Sequence, residues 1–352
     1  MVQCMQASCN LVETVNDHGA GMSERIPAET ILAQQRARGP RARWPQQGEG
    51  NRLGGHARLD IQPKFPIESL GKAFTIGSCF ARSIEEHLAR FGFEVPTIQF
   101  HVPPEEWPNR PNGILNKYTP PAFHQELEWT LRALHATPGD AVFREHELQL
   151  DGGTVDLELG GFVKVTPERA RERRVGVRDM FAHAFSADIV TLTLGLAEAW
   201  WDHQRQRYIQ QMPTVEAIKS HPGRFAFEML SYERARLATQ QSLDLLIRHG
   251  KPGVKIFLTT SPVPLNYTFS GDDILVGNMH AKSMLRTVCG ELAAAYPQVA
   301  YFPSYECVML SDGPDVWEDD QIHVQEVMVG RIVDLLVSTY LQHHGGRTSP
   351  EA

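Results

Sequence analysis

Two nucleophilic side chains, Ser78 and Cys79, stand side by side after a short apolar run. Residues 73–76 predict a buried strand, Gly77 permits a sharp reversal, and the spacing that follows is that of a helix. Unpaired N–H groups at a helix start favour an anion, such as a thiolate or a developing oxyanion. This turn can therefore support nucleophilic catalysis. The structural alternative is a serine that caps a helix beside a buried cysteine.

A candidate base for this chemistry lies near the other end of the chain. Asp320 and His323 form a D-x-x-H motif just before the last predicted helix. On a loop or a first helical turn this spacing can place both side chains on one face, with His323 as base and Asp320 orienting its imidazole. The alternative is an aspartate near a helix start and an unrelated surface histidine.

The elements that must position these side chains alternate between strand and helix. We predict strands at 73–77, 94–97, 188–194, 254–260 and 299–302, and helices at 80–91, 119–136, 227–249, 281–296 and 324–341. Alternating segments at 142–150 and 155–163 flank Asp151-Gly152-Gly153 and predict an inserted β-hairpin. This order predicts an α/β fold in which a parallel sheet carries helices on both faces.

The ligand crevice of such a fold lies beyond the carboxyl ends of the strands. Gly77, Gly195, Ser261 and Ser304 all follow predicted strand ends, so we expect them along one rim. A nucleophile on the first turn would share that rim with the loops after the later strands.

Composition limits both the domain organisation and the function. The 352 residues are 42% hydrophobic, enough for one large core, and we expect an irregular extension at 1–55, one domain at 56–345 and a flexible tail at 346–352. The net charge of -8 argues against a nucleic-acid partner, and interleaved glutamates in the basic run 168–174 predict a solvated surface there.

The cysteines and histidines do not form a recognisable metal or disulfide pattern. The five cysteines are scattered and contain no C-x-x-C pair, and neither H-E-x-x-H nor a G-x-G-x-x-G after a strand occurs; the cysteines are Cys4, Cys9, Cys79, Cys289 and Cys307. No stretch predicts a membrane span. We therefore expect a cytoplasmic protein with no metal site.

Several of these stretches together resemble the GSCFA family, which is named for a motif present here at 77–81, and through it the SGNH/GDSL hydrolase superfamily. One supporting motif precedes it at 43–45, and others follow it at 191–200, 260–264, 278–282, 302–306 and 320–323. The order of these motifs along the chain matches the family. The resemblance covers most of the chain. It implies a three-layer, flavodoxin-like sheet of the SGNH type, and acyl-transfer chemistry.

The resemblance also bears on which atom attacks. The superfamily begins with Gly-Asp-Ser, whose serine is the nucleophile, and a gapless match places Cys79 at that serine and Ser78 at the acid. We therefore favour Cys79 and keep Ser78 as the alternative. Beside a helix N-terminus, with His323 as partner, the pKa of this thiol could fall toward neutrality.

The oxyanion donors depart from the superfamily pattern. Its third block is Gly-x-Asn-Asp, whereas residues 195–198 are Gly-Leu-Ala-Glu, so the asparagine is missing. We expect the backbone N–H groups of Cys79 and Gly195 to donate, with Asn116 as a replacement side chain. The alternative for Asn116 is a helix-entry residue.

Further residues can shape a substrate pocket. Trp200 suits a sugar ring and Glu198 can accept hydroxyl hydrogen bonds. Asn278 and Lys282 lie one helical turn apart, so we expect both to reach the same crevice, where Lys282 could meet a phosphate or carboxylate. A core tryptophan and a surface ion pair of Lys282 are the alternatives.

We thus expect an esterase or O-acyltransferase that forms an acyl-enzyme on Cys79 or Ser78 and acts on an acylated carbohydrate or polysaccharide precursor. It needs no cofactor beyond an acyl donor such as a thioester, and its partner is a small-molecule or carbohydrate substrate. The alternative is a non-catalytic glycan or nucleotide binder on a degenerate SGNH fold, which the missing asparagine favours.

Overall fold

A computed structural model describes residues 25–48, 50–107 and 110–342. The predicted tail at 346–352 lies outside these ranges, as do residues 1–24 of the predicted extension, which include Cys4 and Cys9. The described chain separates into two units. Residues 25–45 hold a helix, α1 (Ala28–Arg38), followed by a 3₁₀ turn at Gly39–Ala42. Everything from residue 46 onward belongs to the second unit.

The strands of the second unit form one parallel sheet, one hairpin and one small antiparallel sheet. They are β1 (Ala73–Ile76), β2 (Glu147–Leu150), β3 (Gly153–Asp156), β4 (Ile189–Leu194), β5 (Glu198–Asp202), β6 (Arg207–Ile209), β7 (Phe225–Met229), β8 (Lys255–Thr260) and β9 (Val299–Tyr301). The parallel sheet has the order β1-β4-β8-β9. In its register Ile76 lies beside Leu192, and Leu194 lies beside Thr260.

The helices of the second unit mostly connect these strands. They are α2 (Cys79–Arg90), α3 (Pro120–Ala133), α4 (Pro167–Ala182), α5 (Val215–Ser220), α6 (Tyr232–His249), α7 (Ile274–Ala295), α8 (Ser304–Met309) and α9 (Glu326–Tyr340). No helix among the described residues combines the length and apolarity needed to cross a bilayer.

The parallel sheet is covered on both faces. Phe74, Val190 and Ile256 belong to a core shared with α3, α4, α6 and α7, whereas their neighbours Ile189 and Phe257 belong to a second core with α2 and α9. Because successive strand residues point to opposite faces, these two cores lie on opposite sides of the sheet. This confirms the predicted α/β class, with a parallel sheet between layers of helices.

Two predicted elements were wrong. Residues 94–97 do not form a strand, since only Glu94 makes a parallel bridge, with Lys72, before a 3₁₀ turn at Pro96–Gln99. The helix predicted from 227 begins at Tyr232, because β7 pairs antiparallel with β5 and Ser231 caps the helix by accepting the N–H of Arg234. The sequence analysis did not predict the small β6-β5-β7 sheet. The predicted hairpin is present, with shorter strands.

The basic run 168–174 is not a fully solvated surface. It lies in α4, where Arg174 is buried and pairs with Glu126 (Nη1–Oε1 2.9 Å) and Asp156 (Nε–Oδ2 2.7 Å). Lys117 is also buried and contacts Glu126 and the backbone oxygen of Glu158. We call these four side chains, of Arg174, Glu126, Asp156 and Lys117, the arginine cluster. Carboxylates on α3 and at the end of the hairpin neutralise the charge of Arg174, which the sequence pattern predicted to be exposed to solvent.

Candidate active site

A cleft of about 720 Å³ lies beyond the carboxyl ends of β1, β4 and β8. It brings together residues that are far apart in the sequence. Among its lining residues are both candidate nucleophiles, the candidate base and most of the predicted binding residues: Ser78, Cys79, Asn116, Gly195, Glu198, Trp200, Ser261 and His323. Asp320, Asn278 and Lys282 are not among its lining residues.

The β1–α2 turn requires glycine because of close packing. A Cβ atom on Gly77 would lie 2.8 Å from the Thr193 Cβ and 2.9 Å from the Ala81 Cβ. Any side chain would therefore push the turn away from the end of β4. Ser78 is the N-cap residue of α2 and Cys79 is its first residue, as the sequence predicted.

The thiol and the hydroxyl of this turn differ in access. Cys79 is partly exposed, whereas Ser78 is buried and its Oγ has neither solvent contact nor a hydrogen-bond partner within the described residues. Of the two candidate nucleophiles, Cys79 is thus the more accessible from the cleft.

The predicted fall in the thiol pKa was wrong. Burial raises the pKa of Cys79 above its ordinary value and outweighs the opposing effects of Ser78, the N–H groups of Phe80 and Cys79, and the positive charge of Arg110. The thiol is consequently protonated at neutral pH, so attack by its sulfur needs a base.

Asp320 and His323 form the predicted pair, on a loop before α9. Nδ1 of His323 lies 2.6 Å from Oδ2 of Asp320, and Oδ1 accepts the N–H groups of Ile322 (2.8 Å) and His323 (2.9 Å). These hydrogen bonds lower the pKa of Asp320 to about 2. The carboxylate therefore stays ionised at neutral pH and fixes the ring with Nδ1 toward it.

The candidate nucleophile and the candidate base line the same cleft. Throughout the described chain the Cys79 thiol makes no hydrogen bond to His323, whose side chain is 54% exposed. Proton transfer between them therefore requires movement of the imidazole or a bridging water.

The cleft floor is tied together by the backbone. The N–H groups of Gly195 (3.2 Å) and Leu196 (2.9 Å) both donate to the carbonyl oxygen of Tyr118, and the N–H of Lys117 donates to that of Gly77 (2.9 Å). This corrects one expectation: the Gly195 N–H is already engaged by Tyr118 and is not free for an oxyanion.

Lys282 and Asn278 support this floor from α7. Nζ of Lys282 donates to the carbonyl oxygens of Gly195 (2.8 Å) and Val263 (2.7 Å), and Oδ1 of Asn278 accepts the N–H of Leu265 (3.2 Å). Lys282 is fully buried, which lowers its pKa to about 7. Neither residue reaches the cleft surface as predicted, because each is bound to the loop that lines it.

Ser304 was also expected on the rim and is not there. It is fully buried, and its Oγ contacts the Thr259 hydroxyl and donates to the carbonyl oxygen of Thr260 (3.3 Å). It starts α8 beneath β8.

Glu198 and Trp200 form part of one wall. The Glu198 carboxylate accepts the Thr268 hydroxyl and the N–H of Phe269 (2.9 Å), and Phe269 packs edge-to-face on Trp200 with ring centroids 5.1 Å apart. Both Glu198 oxygens therefore hold the 268–269 loop, while Trp200 faces the cleft beside Phe269 and Tyr267.

Arg110, Tyr118 and Gln210 are among the polar cleft residues that were not predicted from the sequence. Arg110 donates to the carbonyl oxygen of Cys79 (3.2 Å), and Gln210 donates to that of Asn116. A cation in the Pro- and Asn-rich loop before Asn116, and a tyrosine two residues after it, were the available signals.

Four cleft residues carry buried polar atoms without a hydrogen-bond partner in the described part of the chain: Ser78 Oγ, Asn116 Oδ1, Gln210 Oε1 and Ser261 Oγ. Buried polar atoms are normally satisfied, so such a group marks a place for ordered water or a ligand. No group of three or more His, Cys, Asp or Glu side chains within the described ranges could hold a metal ion.

Comparison with known proteins is consistent with the motifs. No curated protein matches the chain. The model of the GSCFA family matches residues 72–335, well over half of the sequence, and this span contains the β1–α2 turn, the cleft floor and the Asp320–His323 pair. The chain therefore belongs to the GSCFA family.

Proposed function

We propose that this protein is an acyl-transfer enzyme, an esterase or an O-acyltransferase, whose nucleophile is Cys79. The observation that carries the proposal is that the only free cysteine of the described residues that is not buried lies at the first position of α2, in the cleft that His323 also lines. Helix N-termini stabilise anions, and a thiol forms acyl intermediates readily.

In the proposed first step, the Cys79 sulfur attacks an ester or thioester carbonyl while His323 takes the thiol proton. The carbonyl π pair moves to oxygen and then returns as the bond to the leaving group breaks. His323 gives the proton to that leaving group, and Asp320 stabilises the imidazolium between the two transfers. The product is a thioester on Cys79, which water or an acceptor hydroxyl then cleaves.

The fold supports an SGNH-type assignment. The Glu94–Lys72 bridge lies beside β1, on the side away from β4. If this bridge is a reduced second strand, the strand order becomes 2-1-3-4-5, the flavodoxin-like order, whose ligands bind at the switch point beside the first strand. Cys79 lies at that point.

The cleft walls suit a polyhydroxylated substrate. Asn116 Oδ1 and Gln210 Oε1 are acceptors without donors, and sugar hydroxyls can supply the missing hydrogen bonds. Trp200, Tyr267 and Phe269 offer aromatic surface for sugar C–H faces. We therefore propose an acylated carbohydrate as substrate, with no cofactor beyond an acyl donor.

The proposal is tested by mapping two covalent labels. Iodoacetamide reports on a reactive thiol, and a fluorophosphonate reports on an activated hydroxyl. We expect alkylation at Cys79 that slows in His323→Gln, with Cys289 and Cys307 as unreactive internal references, since burial raises their pKa to about 12. Fluorophosphonate labelling at Ser78 would instead assign the reaction to the hydroxyl.

A second candidate function is a non-catalytic glycan binder. Two observations favour it: among the described residues the Cys79 thiol makes no hydrogen bond to His323, and the Gly195 N–H is engaged by Tyr118. Alkylation of Cys79 no faster than that of free cysteine, and unchanged by His323→Gln, would support this function over catalysis.

A further inference from the structure

We infer that the hydroxyl of Tyr118 is an oxyanion donor for the acyl transfer, in place of the side-chain donor missing at Ala197 and of the engaged Gly195 N–H. The inference rests on the proposed function. It assigns a catalytic role to a residue that carries no such role in the sequence motifs.

The position of Tyr118 is fixed from two sides. Its carbonyl oxygen accepts the N–H groups of Gly195 and Leu196, and the preceding N–H, of Lys117, donates to the carbonyl oxygen of Gly77. Residue 118 is thereby bound both to the loop after β4 and to the turn that carries Cys79. Oxyanion donors gain their effect from being held in place before the reaction, and these hydrogen bonds fix the backbone from which the phenol extends.

The phenol lies in the same cleft as the thiol. Tyr118 is half-buried and lines the cleft with Cys79 and Asn116. Burial raises the pKa of the Tyr118 phenol above its ordinary value. The phenol therefore keeps its proton at neutral pH and can donate a hydrogen bond.

The oxyanion would then receive two donors. The N–H of Cys79 makes no hydrogen bond to a backbone carbonyl in the described structure, and the Tyr118 O–H supplies the second donor. As the sulfur–carbon bond forms, the carbonyl π pair moves onto oxygen between these groups, and it returns when the leaving group departs. Tyr118 donates a hydrogen bond throughout and keeps its proton.

The test separates reactions with and without an oxyanion. p-Nitrophenyl acetate acylates a thiol through a tetrahedral oxyanion, whereas iodoacetamide alkylates it by displacement, with no oxyanion. Both rates at Cys79 are measured by peptide mass spectrometry in the wild-type chain, in Tyr118→Phe and in Tyr305→Phe. Tyr305 is the control because it is not among the residues that line the cleft and its hydroxyl contacts the Met279 sulfur (3.8 Å).

We expect Tyr118→Phe to slow acylation by roughly a hundredfold, as for loss of one oxyanion donor, with alkylation unchanged and Tyr305→Phe like wild type. Equal acylation in wild type and Tyr118→Phe would overturn the inference. An equal drop in both reactions would also overturn it, because it would indicate a structural role. Absence of Cys79 acylation in the wild-type chain would overturn the proposed function itself, and the inference with it.

Discussion

The arginine cluster and the cleft both contain buried polar side chains, but these differ in whether they have partners within the described part of the chain. In the cluster, Arg174 and Lys117 are neutralised by carboxylates from α3 and from the end of the hairpin. In the cleft, Asn116 and Gln210 keep buried polar atoms without partners, and Cys79 carries no ion pair. The charges of the cluster are thus paired by side chains of the same chain, whereas the polar atoms of the cleft lack partners that a ligand would supply.

The largest effect is expected on acyl transfer, from a change in the cleft. Cys79→Ala should lower acyl transfer by on the order of 10⁴-fold, because loss of the nucleophile removes the covalent route and leaves only binding and oxyanion stabilisation. Thermal unfolding should barely change. The measurement is turnover of p-nitrophenyl acetate, and retention of wild-type turnover by this variant would exclude Cys79 as nucleophile.

A change in the arginine cluster should instead affect the free energy of unfolding. Arg174→Met should lower the free energy of unfolding by about 3–5 kcal/mol, because Asp156 is left buried and unpaired. Denaturant titration measures this. Arg132→Met is the control: Arg132 pairs with Glu145 at 2.9 and 2.8 Å on the surface, and should cost under about 1 kcal/mol.

Cys79 alkylation in folded Arg174→Met should match wild type. If the variant stays folded but its thiol loses reactivity, the cluster and the cleft are coupled. That result would contradict the separation of the two regions.

Lys282 is intermediate between the paired charges of the cluster and the unpaired polar atoms of the cleft. It is buried and donates to backbone carbonyl oxygens, but no carboxylate of the described residues pairs with it. Its pKa is lowered from 10.5 to about 7, so between these values the unfolded chain binds more protons than the folded one. Stability should therefore rise with pH across that window, by about 3 kcal/mol between pH 7 and 10 from this group.

Lys282→Met should remove that rise. The free energy of unfolding of both proteins is measured at pH 7 and pH 10. The rise between the two pH values should be larger in the wild-type chain than in the variant. Identical pH dependence in the two proteins would mean that the lysine titrates normally.

The smallest expected effect concerns the half-exposed pair. Asp320→Asn should lower acyl transfer by about a hundredfold, less than for a buried triad aspartate, because water partly replaces the orientation that Asp320 gives His323. Turnover of p-nitrophenyl acetate is the readout, and His323→Gln is the reference. An effect of Asp320→Asn larger than that of His323→Gln would contradict this order.

How far the sequence predicted the site depends on the distance between partners. The turn at Gly77 and the Asp320–His323 pair are local, and their residue types and spacing were sufficient. The alternation of strands and helices also placed Ser261 at the cleft. These features follow from short-range chemistry and from the general rule for parallel sheets.

The rest depended on partners far away in the sequence. Engagement of the Gly195 N–H by Tyr118, and burial of Arg174 against Glu126 and Asp156, follow from how the segment between β1 and β4 crosses the sheet. Residues 227–231 have apolar spacing compatible with a helix, and only pairing with β5 makes part of them a strand.

The central claim, that Cys79 carries the acyl group, is tested most directly by trapping that intermediate. The wild-type chain and Cys79→Ala are mixed with p-nitrophenyl acetate, quenched in acid during the first turnover and mapped by peptide mass spectrometry. We predict an acetyl group on Cys79 in the wild-type chain and none on the corresponding peptide of the variant. An acetyl group on Ser78, or turnover without any adduct at Cys79, would contradict the account.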